Sequence, residues 1–233
     1  MHRILLPVKR FKQFPSECSI ASTTSLANYF DESVNYSEVR KLIPKNLRKE
    51  GFYSSEQGRL LNQLGFTAVT IVTADLDLID YSWAHLQKPS LIKRMKKLRV
   101  HYGKAQKPAL YDYVHDMIKW LEDERYDNNL VIDNNFKKYI KRQLKKNVPV
   151  GAAINWTSVF KFKKSGTLKD SDIKGEEEHH SIVLRGCDTE GVFVVDSHHR
   201  HYTGKRAKYH GGYYKMSWEN YLVNTPGGDL ILI

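Results

Sequence analysis

"QFPSECSIASTTSLANYF", residues 13–30, sets one of only two cysteines at the mouth of a helix. Ser16 is read as the N-cap and Glu17 as an anion in the first turn. Ile20, Leu26, Ala27 and Phe30 are spaced as a buried stripe. Cys18 then lies where free backbone N–H groups and the positive end of the helix dipole favour thiolate, the nucleophilic form. A packed, inert thiol is the competing reading. A nucleophile needs a base, and the base needs an orienting group.

Both are found in "EEEHHSIVLRGCDTEGVFVVDS", residues 176–197. His180 begins an apolar strand and Asp196 ends the next, sixteen residues later. A hairpin loop of Cys187–Thr189 or Gly186–Glu190 sets His180 directly opposite Asp196. A loop of Thr189–Gly191 keeps the shared face but sets Asp196 opposite Leu184. A four-residue loop without a bulge puts the two on opposite faces. Gln13, ahead of the helix, supplies an amide N–H₂ that with the Cys18 backbone N–H can hold an oxyanion.

The surrounding pattern is α+β. "RILLPV" reads as a short strand and "SEVRKLIP" as a helix capped by Ser37. "SSEQGRLLNQLGF" reads as a helix ended by Gly65, and "TAVTIVTA" as a β-branched strand. From about Asp75 to Asn147 the pattern is almost all helical. Val114, Ile118 and Leu121 share one face there, as do Phe136, Ile140 and Leu144. After Pro149 short apolar strands follow, "VGAAINW", "SIVLRGCD", "GVFVVDS", "GGYYKMSW" and "DLILI".

Together these pieces resemble a papain-fold cysteine peptidase, and most closely the C39 and C39-like group. Members of that group carry a glutamine shortly before a cysteine that opens a long helix. They then have a histidine starting an "H-x-V-V-x-G-x-D" strand and a strand ending in Asp-Pro. Here these read "QFPSEC", "HSIVLRGCD" and "VFVVDS". The echoes "VNYSEVRKL", "GRLLNQLGF", "NVPVGAAINW" and "YYKMSWENYL" follow the same alignment, which covers roughly residues 1–74 and 148–233. The chain departs from the group at Ser19, commonly glycine, at Ser197, commonly proline, and in a glutamine-to-cysteine interval one residue shorter.

The resemblance implies a papain-like fold. Residues 1–74 form a helical lobe with the nucleophile, 75–147 a basic helical insertion, and 148–233 a twisted antiparallel β lobe with the base and carboxylate. It implies Cys18 as nucleophile, His180 as base, Asp196 as orienter and Gln13 as oxyanion donor. The activity implied is peptide cleavage through a thioester, without a cofactor. Papain-fold relatives that pass the acyl group to an amine or thiol provide the alternative. A scaffold that keeps the fold without catalysis is disfavoured by the intact Cys18, His180 and Asp196.

Composition narrows the rest. At 233 residues, 41% apolar and 27% charged, the chain suits one globular domain with an insertion, or two small lobes. No apolar run reaches the roughly 20 residues of a spanning helix. The stretch Ile4–Val8 is too short for the apolar core of a signal peptide, and two cysteines imply no disulfide framework. The expected location is the cytoplasm. Net charge is +11, and Lys88 to Pro108 holds eight Lys/Arg and no acid. Lys93, Arg94, Lys96, Lys97 and Arg99 form a surface for an acidic partner, with nucleic acid the less favoured case because aromatic residues are few there. The insertion is expected to shape a groove for substrate or partner. His179, His198, His199 and His201 match no zinc-module spacing, so no metal is expected. His179 is read as exposed or as a rival base, and Cys187 as buried and inert.

Overall fold

Short β-branched and apolar runs from both ends of the chain build one sheet, and helices cover it. The computed structural model describes residues 3–44, 52–160, 179–198, 212–225 and 228–233. The strands among these residues are β1 (Ile4–Leu5), β2 (Thr70–Thr73), β3 (Asn129–Ile132), β4 (Val150–Asn155), β5 (His179–Cys187), β6 (Gly191–Asp196), β7 (Tyr213–Ser217) and β8 (Asp229–Leu232). Their order is β3-β2-β8-β4-β5-β6-β7, with β1 paired to β5. All pairings are antiparallel except β2 with β3. Strand β3 is an addition to the middle segment, whose pattern reads as almost all helical. "NLVI" is too short and too flanked by polar residues to stand out, and only pairing with β2 makes it a strand.

The helices are α1 (Cys18–Asn28), α2 (Tyr36–Lys41), α3 (Ser54–Gln63), α4 (Lys88–Tyr102), α5 (Pro108–Leu121), α6 (Phe136–Lys145), α7 (Trp156–Phe160) and α8 (Trp218–Val223). Helix α1 is buried from Ser19 to Asn28, all round and not along one stripe. Its hydroxyls tolerate this by bonding backward to helix carbonyls, Thr24 Oγ1 to Ile20 O at 2.8 Å and Ser22 Oγ to Ser19 O at 3.1 Å. Phe30, expected in the stripe, lies beyond the helix end and is 47% exposed. Helix α2 is capped by Asn35, whose Oδ1 accepts from Glu38 N, and not by Ser37. Gly65 follows α3 with φ +96°, as a C-terminal glycine should.

The faces read from α5 and α6 are buried as expected: Val114, Ile118 and Leu121, then Phe136, Ile140 and Leu144, each at most 3% exposed. They join Leu26, Leu61, Ile71, Ile182 and Leu230 in one continuous apolar core. The middle segment therefore packs on the same core as its flanks.

The β5–β6 hairpin takes a register that none of the three simple loops provides. Cys187 pairs with Val192 across the four residues 188–191, and a bulge between Leu184 and Gly186 restores the shared face. Asp196 pairs with Ile182, not with His180. His180 is its diagonal neighbour, a separation that long side chains still span.

Candidate active site

Cys18 is the first residue of α1, and the chain reaches it by a sharp turn. Ser16, expected as the cap, is exposed and holds φ +62°, a left-handed conformation that costs a non-glycine residue about 1 kcal/mol or more. Glu17 stands at the N-cap position and makes no side-chain cap bond. It is 3% exposed, and its carboxylate accepts from Tyr36 Oη at 2.5 Å and from Arg40 Nε at 2.8 Å. Tyr36 Oη also accepts from Phe14 N at 3.2 Å. The turn before Cys18 is thus clamped onto α2, and the Glu17 charge is matched by Arg40.

His180 is buried, and its Nε2 donates to Asp196 Oδ1 at 2.7 Å. That leaves Nδ1 as the ring nitrogen available to Cys18, with which His180 is in hydrogen-bond contact. Asp196 is fully buried and accepts two further bonds, from His198 N at 2.8 Å and from Tyr214 Oη at 3.1 Å. Arg10 braces the same turn. Its Nε donates to Asp196 O at 2.6 Å and its Nη2 to His198 O. The ring of Trp156 lies 5.3 Å from that of His180 and 4.4 Å from that of His198, so bulk water is kept from the imidazole–carboxylate pair.

The electrostatics follow from this packing. Burial pushes the Asp196 carboxyl up, but the charge and bond of His180 and the His198 amide outweigh it and bring it down to about 2. Burial pushes His180 toward the neutral form, and the Asp196 charge and bond, then the Cys18 thiolate, raise it to about 10. Burial likewise raises the Cys18 thiol, while His180, the Ser181 backbone and the Ser19 hydroxyl bring it below its ordinary value. Both shifts favour the ion pair of Cys18 thiolate and His180 imidazolium over the neutral pair. Cys187 is opposite in character: fully buried, its thiol is pushed up.

Gln13 is fastened to the end of β6. Its backbone N donates to Ser197 O at 3.0 Å, and its Oε1 accepts from Ser197 Oγ at 2.7 Å. With the amide oxygen engaged, Nε2 remains as the donor. His179 is exposed, while His180 beside it is buried. His198 is buried against Trp156. His199 and His201 lie outside the described residues. Among the described residues there is no cluster of three or more His, Cys, Asp or Glu side chains able to hold a metal.

Sequence reasoning missed Arg10, Trp156 and Tyr214. Tyr214 could have been read from the alternation in "YYKMS", whose pattern is exposed, buried, exposed, buried, exposed. Arg10 and Trp156 carry no such signal, since both act through contacts far along the chain. A second buried polar line runs beside Cys18, from Ser22 Oγ to Ser181 Oγ at 2.7 Å and on to Gln57 Oε1 at 3.0 Å.

A solved structure from Bacillus anthracis, described provisionally as a C39-like peptidase, aligns over 100% of this chain and 98% of its own, with a TM-score of 0.45 and 11% identity. No curated protein matches the chain. The model of the Peptidase_C39 like family matches residues 5–223, a span that holds Gln13, Cys18, His180 and Asp196, and the chain belongs to that family, with its papain-like α+β fold and peptidase-type function.

Proposed function

We propose that the chain is a cysteine peptidase in which Cys18, His180 and Asp196 act as a triad. The contact of Cys18 with His180, itself bonded to a buried Asp196 at 2.7 Å, carries this reading. Cys18 attacks a peptide carbonyl as thiolate, and the oxyanion is held by the Cys18 backbone N–H and Gln13 Nε2. His180 then gives a proton to the departing amine, leaving a thioester on Cys18. Water, deprotonated by His180, attacks the thioester and releases the acid and the thiol. Asp196 holds the imidazole in one tautomer throughout.

Iodoacetamide labelling followed by intact mass tests the nucleophile. At pH 6 an ordinary thiol is about 0.3% ionised. Cys18 should therefore label at least about tenfold faster than Cys187 there, and His180→Ala should abolish the difference. Equal, slow labelling of both cysteines would end the reading.

The basic face of α4 is proposed as a docking surface for an acidic partner. Lys93, Arg94 and Lys97 are exposed on it. Lys96 instead pairs with Glu122 at 2.5 Å, and Arg99 Nη1 bonds His115 Nδ1 at 2.7 Å. No helix among the described residues is long and apolar enough to cross a membrane.

A further inference from the structure

At the end of the sheet that carries His180, two carboxylates stand with no lysine or arginine paired to them among the described residues. Asp229 opens β8 and is 3% exposed. Its Oδ2 accepts from Ser54 Oγ and, at 3.3 Å, from Tyr113 Oη, while its buried Oδ1 has no hydrogen-bond partner. Asp75 follows β2 and is half-buried, and it lies close enough to the Tyr113 hydroxyl to compete for its proton. Thr73, whose hydroxyl also bonds the Asp229 carboxyl, faces the pair together with Asp77 and His179. Among the described residues neither carboxylate is paired with a lysine or arginine, in a chain of net charge +11. A buried carboxylate with an unused oxygen is costly unless a cation or proton completes it.

A concave space adjoins this cluster. Asp75 and Asp77 line a groove of about 640 Å³ whose other walls include Tyr81, Phe136 and Leu222. Acid at one side and apolar wall at the other suit a positive charge on an aliphatic stem. The strand that leads into Asp75 and the strand that carries His180 belong to the same sheet. Strands β2, β8, β4 and β5 are consecutive in the sheet. Three strand spacings make about 14 Å, which an extended peptide covers in about four residues. His179, next to His180, lies within electrostatic range of Asp75.

We infer that this groove receives a lysine or arginine side chain of the substrate, about four residues from the bond cut at Cys18. The charge meets Asp75 and Asp77, with Asp229 behind them coupled through the Tyr113 hydroxyl. The inference rests on Cys18 being the nucleophile.

Peptidyl acyloxymethyl ketones test it. Arginine, norleucine or glutamate is placed in turn at the second to fifth residue from the reactive ketone, and the rate of Cys18 alkylation is read by intact mass. Arginine should exceed norleucine by about tenfold or more at one position. In Asp75→Asn and in Asp229→Asn the ratio should fall to within about twofold, with the norleucine rate kept. No arginine preference at any position, or one that survives both substitutions, overturns the inference and leaves the nucleophile reading standing. Failure of Cys18 to react with iodoacetamide as well overturns the nucleophile reading instead. Agmatine, which needs no reaction at Cys18, gives the second measurement. It should raise the melting temperature of the wild-type chain and not of Asp75→Asn, and no rise in the wild type counts against the site.

Discussion

At Asp196 three donors converge on one carboxylate in a fully buried setting, from His180, His198 and Tyr214. Each bond favours the ionised form, and that charge is what lifts His180 to about 10. Asp196→Asn keeps the shape and removes the charge. His180 should then fall toward its ordinary range, and the Cys18 thiol should rise with it. The acid limb of iodoacetamide labelling should move to higher pH, and the rate at pH 6 should drop by about tenfold or more. An unchanged profile would show that the carboxylate only fills space. The alkaline side separates two roles of His180. Peptide cleavage should decline near pH 10 as the imidazolium loses its proton, whereas alkylation should not, because the thiolate persists there.

Among the elements, the β5–β6 hairpin decides whether His180 and Asp196 share a face. Its four-residue connection alone would separate them, and the bulge at Arg185 brings them back. Strand β1 lies against that bulge, with Ile4 opposite Cys187 and Leu5 opposite Gly186. The approach is so close that a Cβ on Gly186 would meet Ile4 O at 2.2 Å. Gly186→Ala should therefore push β1 off the sheet and cost about 1–3 kcal/mol, read as a lower urea midpoint. Labelling of Cys18 at pH 6 should fall with it, since the bulge would no longer be pinned. Unaltered stability and labelling would mean that β1 is dispensable. Gly212 has a related duty beside Arg10. At φ +70° a Cβ there would meet Arg10 Nε at 2.2 Å and Asp196 O at 2.3 Å, so only glycine lets the brace form.

Across the whole molecule, two buried carboxylates respond to pH with opposite sign. Asp196 lies at about 2 against 3.8 unfolded, so its stabilisation is present above pH 4 and is lost as pH falls through that window. Asp229 is raised to about 6, chiefly by burial, so its favourable contribution is present below pH 4 and is lost as pH rises through 6. Asp229→Asn should consequently raise the melting temperature at pH 7.5, by an amount worth at most about 3 kcal/mol, and change it little at pH 4. A loss of stability at both pH values would refute this. Much of this molecule was legible in its residues. The place of Cys18 at a helix mouth, the buried faces of α5 and α6 and the α+β order follow from spacing and periodicity, which act over a few residues. The diagonal setting of His180 and Asp196, the parallel pairing of β3 and the turn of Ser16 away from capping did not follow. The brace from Arg10, the Trp156 cover and the carboxylates left without a described cation did not follow either. Those depend on which distant segments meet once the core closes, and no local pattern encodes a contact spanning nearly two hundred residues, such as Arg10 with Asp196.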